Sequence, residues 1–278
     1  MHRSFLTLAL AAALAVSAFP APAAEPVRVT PADLHLESLG PATMTYVVYM
    51  HAAPGSGIKR AMLATSDVKR ARVDGADAWV IEQHWEDETG AVHAARTVHA
   101  ARDLATIAQT SEWARPTGRF KSSVMPKEGR GSIEGELPDA ARQKMEAGFA
   151  RMKDGWWINW HSDLAWLPLL PYEKGGTLRI RLFDVGMEAP MDVDYTVAGE
   201  RTLQGDGTRY DCWLVETESG HPGSGNFQRF WIDKTHRVVL KEEDVFNGMY
   251  RSKVLLSVPA VVEFPLPPAP PAPAGSAK

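Results

Sequence analysis

The segment Trp79-Val80-Ile81-Glu82-Gln83-His84-Trp85-Glu86 carries the pattern that decides the fold. Its odd positions are large and mostly apolar, whereas its even positions from residue 82 onward are titratable. A period of two is typical of an antiparallel strand with one face packed against the core and the other exposed to solvent. The segment therefore predicts a β-strand and not a helix.

The same alternation recurs along most of the chain. Short turns rich in Asp and Gly, such as Asp74–Asp77, separate the alternating runs. The repeated pattern predicts a mainly β fold with antiparallel strands. The expected packed faces are those of Met44–Met50, Leu178–Leu182, Met191–Val197, Tyr210–Leu214, Phe227-Arg229-Trp231, Val238–Leu240 and Tyr250-Ser252-Val254-Leu256.

One segment departs from this pattern and predicts an amphipathic helix over residues 138–154. Pro138 suits the first turn of a helix, and Gly155 suits the position just after its end. Between them, apolar or small side chains recur at spacings of three and four along one stripe. The residues of this stripe are Ala141, Met145, Gly148, Phe149 and Met152.

The two ends of the 278-residue chain differ in composition from its middle. A basic start, an apolar run over Phe5–Val16 and the small residues Ala21–Ala24 predict a cleavable signal peptide over residues 1–24, and hence a periplasmic or secreted protein. Residues 25–42 are expected to form a loose arm, residues 43–258 a single domain, and residues 259–278 a disordered Pro/Ala-rich tail. Since no second apolar run is long enough, the mature chain is not expected to span a membrane.

Charge and cysteine content exclude several functional classes. The formal net charge of −4 offers no electrostatic footprint for nucleic acid. The single cysteine, Cys212, has no partner for an intramolecular disulfide and is expected to be a buried small hydrophobic residue.

The sequence contains no G-x-S-x-G, H-E-x-x-H, phosphate-loop or C-x-x-C signature. The stretch Gly220–Gly225 is interpreted as a flexible hairpin loop. His93 and His99 share one strand face but lie about 20 Å apart, which is too far to share a metal ion. The polar face Glu82-His84-Glu86 could bind a metal or act in acid–base chemistry, but a solvated face is favoured. We therefore expect a protein that is not an enzyme and binds neither cofactor nor metal.

Four of the nine tryptophans lie between residues 156 and 166, directly after the predicted helix. One interpretation is that they pack in the core, since aromatic residues dominate core burial. The other is that they line an apolar groove, with methionines as its adaptable wall. The candidate ligand-binding residues are Met145, Phe149, Met152, Trp156, Trp157, Trp160 and Trp166.

Four motifs resemble those of a family of exported bacterial proteins of unknown function: Asp163–Leu170, Lys174–Leu178, Phe230–Lys241 and Tyr46–Tyr49. The resemblance implies a lipoprotein-carrier (LolA/LolB-like) half-barrel over residues 43–258. It brings no catalytic residue. With the alternating pattern, it leads us to expect a mainly β (α+β) fold, in which a strongly curved antiparallel sheet or incomplete barrel wraps around one amphipathic helix.

These observations favour a non-enzymatic protein that binds an apolar ligand, such as a lipid, an acyl chain or a lipidated partner, on the concave face of its sheet. A second hypothesis is an envelope structural or assembly protein that docks a protein partner through a sheet edge. A third is a secreted hydrolase whose catalytic residues lie far apart in sequence, with Glu82 and His84 as the first candidates.

Overall fold

The computed structural model describes residues 24–53, 55–115, 118–153, 155–205, 207–218, 225–246 and 248–258. The predicted tail, the predicted signal peptide except Ala24, and residues 220–224 of the predicted loop lie outside these ranges. No helix of the described residues is both long and apolar enough to cross a lipid bilayer.

The alternating runs of the sequence lie in strands, as predicted. The strands are β1 (Val27–Arg28), β2 (Ala42–His51), β3 (Ile58–Val73), β4 (Ala76–Asp87), β5 (Gly90–Ala100), β6 (Thr106–Arg115), β7 (Gly118–Met125), β8 (Arg130–Gly135), β9 (Ile158–Asn159), β10 (Thr177–Phe183), β11 (Met191–Gly205), β12 (Thr208–Glu218), β13 (Phe227–Asp233), β14 (Val238–Phe246) and β15 (Met249–Leu255). The helices are α1 (Asp139–Phe149) and α2 (Asp163–Trp166), with several single 3₁₀ turns between elements.

All fifteen strands belong to one sheet, in the order β1-β10-β11-β12-β13-β14-β15-β2-β3-β4-β5-β6-β7-β8, with β9 also paired to β10. Pairing is antiparallel throughout, except that β1 and β9 run parallel to β10. The sheet is curved but not closed, because β1 and β8 stand at opposite ends of the order. The prediction of a mainly β fold is confirmed.

The N-terminal residues are anchored to the sheet and are not the loose arm that the sequence suggested. Val29 and Leu34 are buried in the main core. The Val29 amide donates to the Arg179 carbonyl (2.8 Å), and the His35 amide donates to the Leu169 carbonyl (2.9 Å). The prolines and glycines of this region are therefore compatible with an ordered path.

The centre of the concave side is filled by the protein's own chain. Every residue of Ser162–Tyr172, here called the buried segment, is almost inaccessible to solvent. Its apolar side chains join those of strands from both halves of the sheet in the main hydrophobic core. Arg237 donates from Nη1 to the carbonyls of Pro168 (3.2 Å) and Leu170 (3.1 Å). These two buried carbonyl groups thereby gain a hydrogen-bond donor.

Helix α1 is shorter than predicted and lies against the edge strand β8. Arg142 donates to the carbonyls of Ile133 (2.7 Å) and Gly135 (2.9 Å) of that strand. Phe149, at the end of the helix, packs in a second small core with the nearby Met152. The expected wrapping of the whole sheet around this helix is not confirmed, since the buried segment fills the centre instead.

The predicted packed faces of β13 and β15 are wrong by one residue. Phe230 and Ile232 are fully buried in β13, and Lys253 is 4% exposed in β15, whereas Val254 is 38% exposed. A shift of one residue exchanges the two faces of a strand. In β15 the inward positions carry charges, which alternation alone assigns to the solvent side.

Gly148 provides a test of the packing of α1. A Cβ atom built at this position would lie 2.2 Å from the carbonyl oxygen of Met187, which is backbone and cannot easily move aside. Gly148→Ala should therefore destabilise the protein by about 1–3 kcal/mol through overpacking, although alanine in place of glycine normally favours a helix. Urea unfolding measures the change, with the exposed Glu146→Ala on the same helix as the control. A gain in stability for Gly148→Ala would contradict this packing.

Candidate ligand-binding pocket

Two ion pairs face the interior from the strand pair β14–β15. Glu242 lies directly opposite Lys253 in the register, and Asp244 lies directly opposite Arg251. Lys253 Nζ is 2.5 Å from Glu242 Oε2, and Arg251 Nε donates to Asp244 Oδ2 at 2.9 Å. All but Arg251 are at most 4% exposed as whole residues. The alternation of both strands thus places four charges on the concave face.

Burial and neighbouring charges act in opposite directions on the carboxyl groups of these pairs. Burial alone would raise the pKa of Glu242, but the charges of Lys253 and Arg251 outweigh it and hold this pKa below its ordinary value. At Asp244 burial prevails over the Arg251 charge, and with the nearby Glu242 carboxylate it raises the pKa to about 6. Glu242 is therefore the more firmly ionised of the two acids.

Aromatic side chains from β4, β5 and β6 stand beside these charges. The ring centroids of Trp85 and Trp113 are 6.5 Å apart. His93 stacks on Trp113 with centroids 3.8 Å apart. Lys253 Nζ and the Arg251 guanidinium lie 5.3 and 5.6 Å from the centroid of Trp85, within the range of cation–π attraction. Trp113 is therefore held by stacking on His93, and Trp85 by the two cations.

His161 connects this aromatic wall to the buried segment. Its Nε2 is hydrogen-bonded to Nε2 of His93, and the two rings are perpendicular. Nδ1 of His93 faces the Glu112 carbonyl at 2.9 Å, so it must donate, and Nε2 of His93 then accepts from His161. Burial, with the charges of Lys253 and Arg251, lowers the pKa of His161 to about 3. Both observations agree with a neutral His161.

A pocket of about 220 Å³ lies between the aromatic wall and the charged strands. The Gln83 amide nitrogen donates to the His161 carbonyl (2.8 Å), and its buried Oε1 has no hydrogen-bond partner among the described residues. The lining residues are Gln83, Trp85, Trp113, Trp160, His161, Asp163, Leu164, Asp184, Gln228, Arg251 and Lys253.

Two further acids of the pocket are held partly protonated by their surroundings. Burial raises the pKa of Asp163 to about 7, against the opposing charge of Lys253. Burial also raises the pKa of Asp184 to about 6, although Gln109 and Asn159 donate hydrogen bonds to it. Near neutral pH these carboxyl groups can donate as well as accept hydrogen bonds.

Among the seven candidate ligand-binding residues predicted from the sequence, Trp160 lines this pocket. Phe149, Met152 and Trp157 pack together in the second core, and Met152 and Trp157 also border a separate cleft of about 510 Å³. Trp166 is buried in the main core, with its ring 6.0 Å from that of Tyr195.

The remaining two candidates lie away from the pocket. Trp156 is half-buried and donates from Nε1 to the Asp103 carbonyl (2.9 Å). Met145 is partly exposed on α1. Contact of either of these residues, or of the packed ones, with a ligand stays a prediction.

A serine and a histidine are also within hydrogen-bond distance but cannot form a reactive site. Ser162 Oγ is 2.9 Å from Nε2 of His99, whose Nδ1 faces the Leu104 carbonyl at 3.0 Å. Both residues are 1% exposed, so a substrate could not reach them. Burial lowers the pKa of His99 to about 4, which keeps the ring neutral. The hydrogen bond between Ser162 and His99 anchors the start of the buried segment to β5.

The titratable face of β4 points away from the pocket. His84 and Glu86 have side chains about half exposed, and Glu82 accepts from Lys69 Nζ at 2.9 Å on the outer surface. Within the described ranges, no three His, Cys, Asp or Glu side chains are grouped as metal ligands. Cys212 is buried, as the sequence predicted.

The pocket residues came mostly from positions that sequence reasoning had not selected. His161, Asp163, Arg251 and Lys253 belong to this missed set, and Glu242 and Asp244 pair with the last two from the neighbouring strand. One available signal was the spacing of two between Glu242 and Asp244 and between Arg251 and Lys253, which gives each strand one face with two charges of a single sign.

A family model described as "Protein of unknown function (DUF3108)" matches residues 45–254. The chain belongs to this family. The resemblance to a family of unknown function, drawn from the sequence, is thereby confirmed. A search of curated proteins gives no significant match.

Three solved structures are similar to the DUF3108 chain at low identity. A β-barrel-like protein of domain of unknown function DUF1849 from Brucella abortus is 10% identical, with 78% of this chain and 96% of that chain covered and a TM-score of 0.43. A DUF1329 family protein from Desulfovibrio piger is 11% identical (83% and 89% covered, TM-score 0.25). A domain named for outer membrane lipoprotein sorting, from Vibrio parahaemolyticus, is 14% identical (78% and 84% covered, TM-score 0.23). At such TM-scores none of the three contributes to the functional argument.

The buried pair Glu242–Lys253 gives a direct test of the charged wall. Lys253→Met should destabilise the protein by about 3 kcal/mol or more, because it leaves the Glu242 carboxylate buried without its closest cation. Adding Glu242→Gln should restore part of the loss, since both charges are then removed. Chemical denaturation measures all three proteins. The exposed pair Lys69–Glu82 supplies the control, where Lys69→Met should destabilise the protein far less because solvent screens the pair. An equally small cost at Lys253 would contradict a buried pair.

The raised pKa of Asp163 predicts a pH dependence that Asp163→Asn removes. An acid whose pKa is raised on folding contributes stability below its ordinary pKa and loses that contribution as the pH rises through the raised value. The wild-type protein should therefore lose stability relative to Asp163→Asn between about pH 4 and pH 7. Urea unfolding of both proteins across this range measures the difference, and titrating groups that do not interact with Asp163 cancel. Parallel pH profiles would mean that Asp163 titrates normally.

Proposed function

We propose that this protein is an exported, non-enzymatic binding protein that holds a small ligand with an apolar surface in the pocket on its concave face. The observation that supports this most directly is that Trp85, Trp113 and Trp160 line the same pocket of about 220 Å³. Ligand sites are typically concave and combine aromatic or aliphatic walls with placed polar groups, and this pocket combines three indoles with seven polar side chains. The signal-peptide pattern of residues 1–24 supports an envelope location.

The size of the pocket limits what part of a ligand it can hold. A dry cavity of about 150 Å³ can hold benzene, so this space suits a single six-membered ring or the end of a short chain. The acyl chain of a lipid or of a lipidated partner would place its end against the indoles. Phe149, Met152, Trp157 and Trp166 would then support the fold around the site, while Trp160 touches the ligand.

A second candidate function, a hydrolase, is favoured by one specific observation. Asp163, with a pKa raised to about 7, lines the pocket beside the neutral His161, and a carboxyl group that is half protonated near neutral pH suits acid–base catalysis. Hydrolysis of p-nitrophenyl acetate above background, lost in Asp163→Asn, would favour this function over binding alone. Docking of an envelope protein at a sheet edge has no comparable support from the geometry.

Cyclohexanol is a suitable probe for the proposed binding function. It has the size of a six-membered ring with apolar faces, and it does not absorb where tryptophan emits. Titration should change the tryptophan emission saturably at millimolar concentrations. Trp113→Ala should abolish the saturable change because it removes one wall of the pocket, whereas Trp231→Phe, outside the pocket, should retain it.

Two results would contradict the proposal. One is a wild-type emission that does not change over this range, with no small molecule in the purified protein by native mass spectrometry. The other is an unchanged response in Trp113→Ala, provided that circular dichroism shows the variant to be folded, because the probe would then bind elsewhere.

A further inference from the structure

We infer that the ligand of the concave pocket is a neutral, hydroxylated ring, of the class to which sugars belong. The inference rests on the proposed binding function and names the chemistry of its ligand. It follows from four properties of the pocket walls: flat apolar surfaces, unpartnered acceptors, available donors and balanced charge.

Trp113 offers a flat apolar surface whose position is already fixed, because the His93 ring stacks on one of its faces. A sugar ring presents a face of C–H groups that packs flat on an aromatic ring, while its hydroxyl groups point outward around the edge. A wall that is fixed before binding loses little side-chain entropy when a ring packs against it.

The pocket contains polar acceptors that lack donors. Gln83 is 6% exposed, and its amide nitrogen is engaged by the His161 carbonyl, which leaves Oε1 directed elsewhere without a partner among the described residues. The Oε1 atom of Gln228, which also lines the pocket, is likewise buried without a hydrogen bond among the described residues. Buried acceptors are seldom left unpaired in folded proteins, and a hydrocarbon chain could not supply the missing donors. Hydroxyl groups could.

The same walls also provide donors. Lys253 lines the pocket and its ammonium has three N–H donors, and Asp163 donates when it is protonated. A hydroxyl group donates one hydrogen bond and can accept two, so it requires donors and acceptors at close range. Few ligand classes other than polyols match walls of this mixed kind.

The balance of charge argues for a ligand without net charge. Each cation of the pocket faces a carboxylate across the strand pair, Lys253 with Glu242 and Arg251 with Asp244. An anionic group would have to compete with these carboxylates and with Asp163 and Asp184, which also line the pocket, and a cationic group would lie beside Lys253 and Arg251. A neutral ring avoids both costs.

The test compares three kinds of probe on the full mature protein by saturation-transfer NMR and tryptophan emission. The sugars are the methyl glycosides of glucose, galactose, mannose and N-acetylglucosamine, and the comparison probes are cyclohexanol and octanoate. At least one glycoside should bind about tenfold tighter than cyclohexanol, which is the gain expected from one additional satisfied hydrogen bond.

Gln83→Met tests the acceptor that carries the inference. This variant should lower the ratio of glycoside affinity to cyclohexanol affinity about tenfold, because it removes the unpartnered oxygen while preserving side-chain volume. Gln228→Met serves the same purpose if Gln83→Met does not fold, as judged by circular dichroism. Trp231→Phe is the matched control and should keep the wild-type ratio.

Each outcome separates the inference from the proposed function. If cyclohexanol binds and every glycoside binds no tighter, the inference is overturned while the binding function stands. If octanoate binds more tightly than any ring, an acyl ligand replaces the sugar. If no probe binds, both the inference and the proposed binding function are overturned. An unchanged ratio in both glutamine variants also overturns the inference.

Discussion

The burial of residues 162–172 against the concave face of the sheet is the constraint on which the rest of the structure depends. A curved sheet that does not close leaves its inner apolar face open to water, at a cost of about 25 cal/mol for each Å² exposed. Here that face is covered by the protein's own chain, including Trp166 and Tyr172, which are 1% exposed. The sheet and the segment therefore stabilise each other.

The start of this segment also explains where the pocket lies. Beyond Leu164 the segment is apolar and fills the interior, but before it come Trp160, His161 and Asp163, which are polar or only half-buried. Opposite them stand the ion pairs of β14 and β15. Charges removed from water cost several kcal/mol each unless they are well paired, so an apolar lining would have been simpler if stability alone mattered. This cost favours a functional role for the polar end of the concave face.

The strand pattern of the fold could be predicted from the sequence, but not which face of every strand points inward. Alternation located β15, yet it assigned Val254 inward and Lys253 outward, because a charged position normally marks the solvent side. The assignment could be corrected only with the register that places Lys253 opposite Glu242. The pocket was harder still to predict, since its residues come from four strands, the buried segment, the turn just before that segment and the loop after β10. Trp160 was identified, but nothing in the local sequence distinguishes it from the packed Trp166.

Hydrogen exchange of the backbone amides in residues 164–172 measures whether this segment is packed against the concave face. These amides lie in water-excluded surroundings, and some donate within the segment, as Leu170 does to the Leu167 carbonyl at 3.1 Å. If the segment fills the concave face, its amides exchange as slowly as those of the central strands β12 and β13. Exchange as fast as that of the exposed turns, with the strands still protected, would contradict the account, because the segment would then be detached from the sheet.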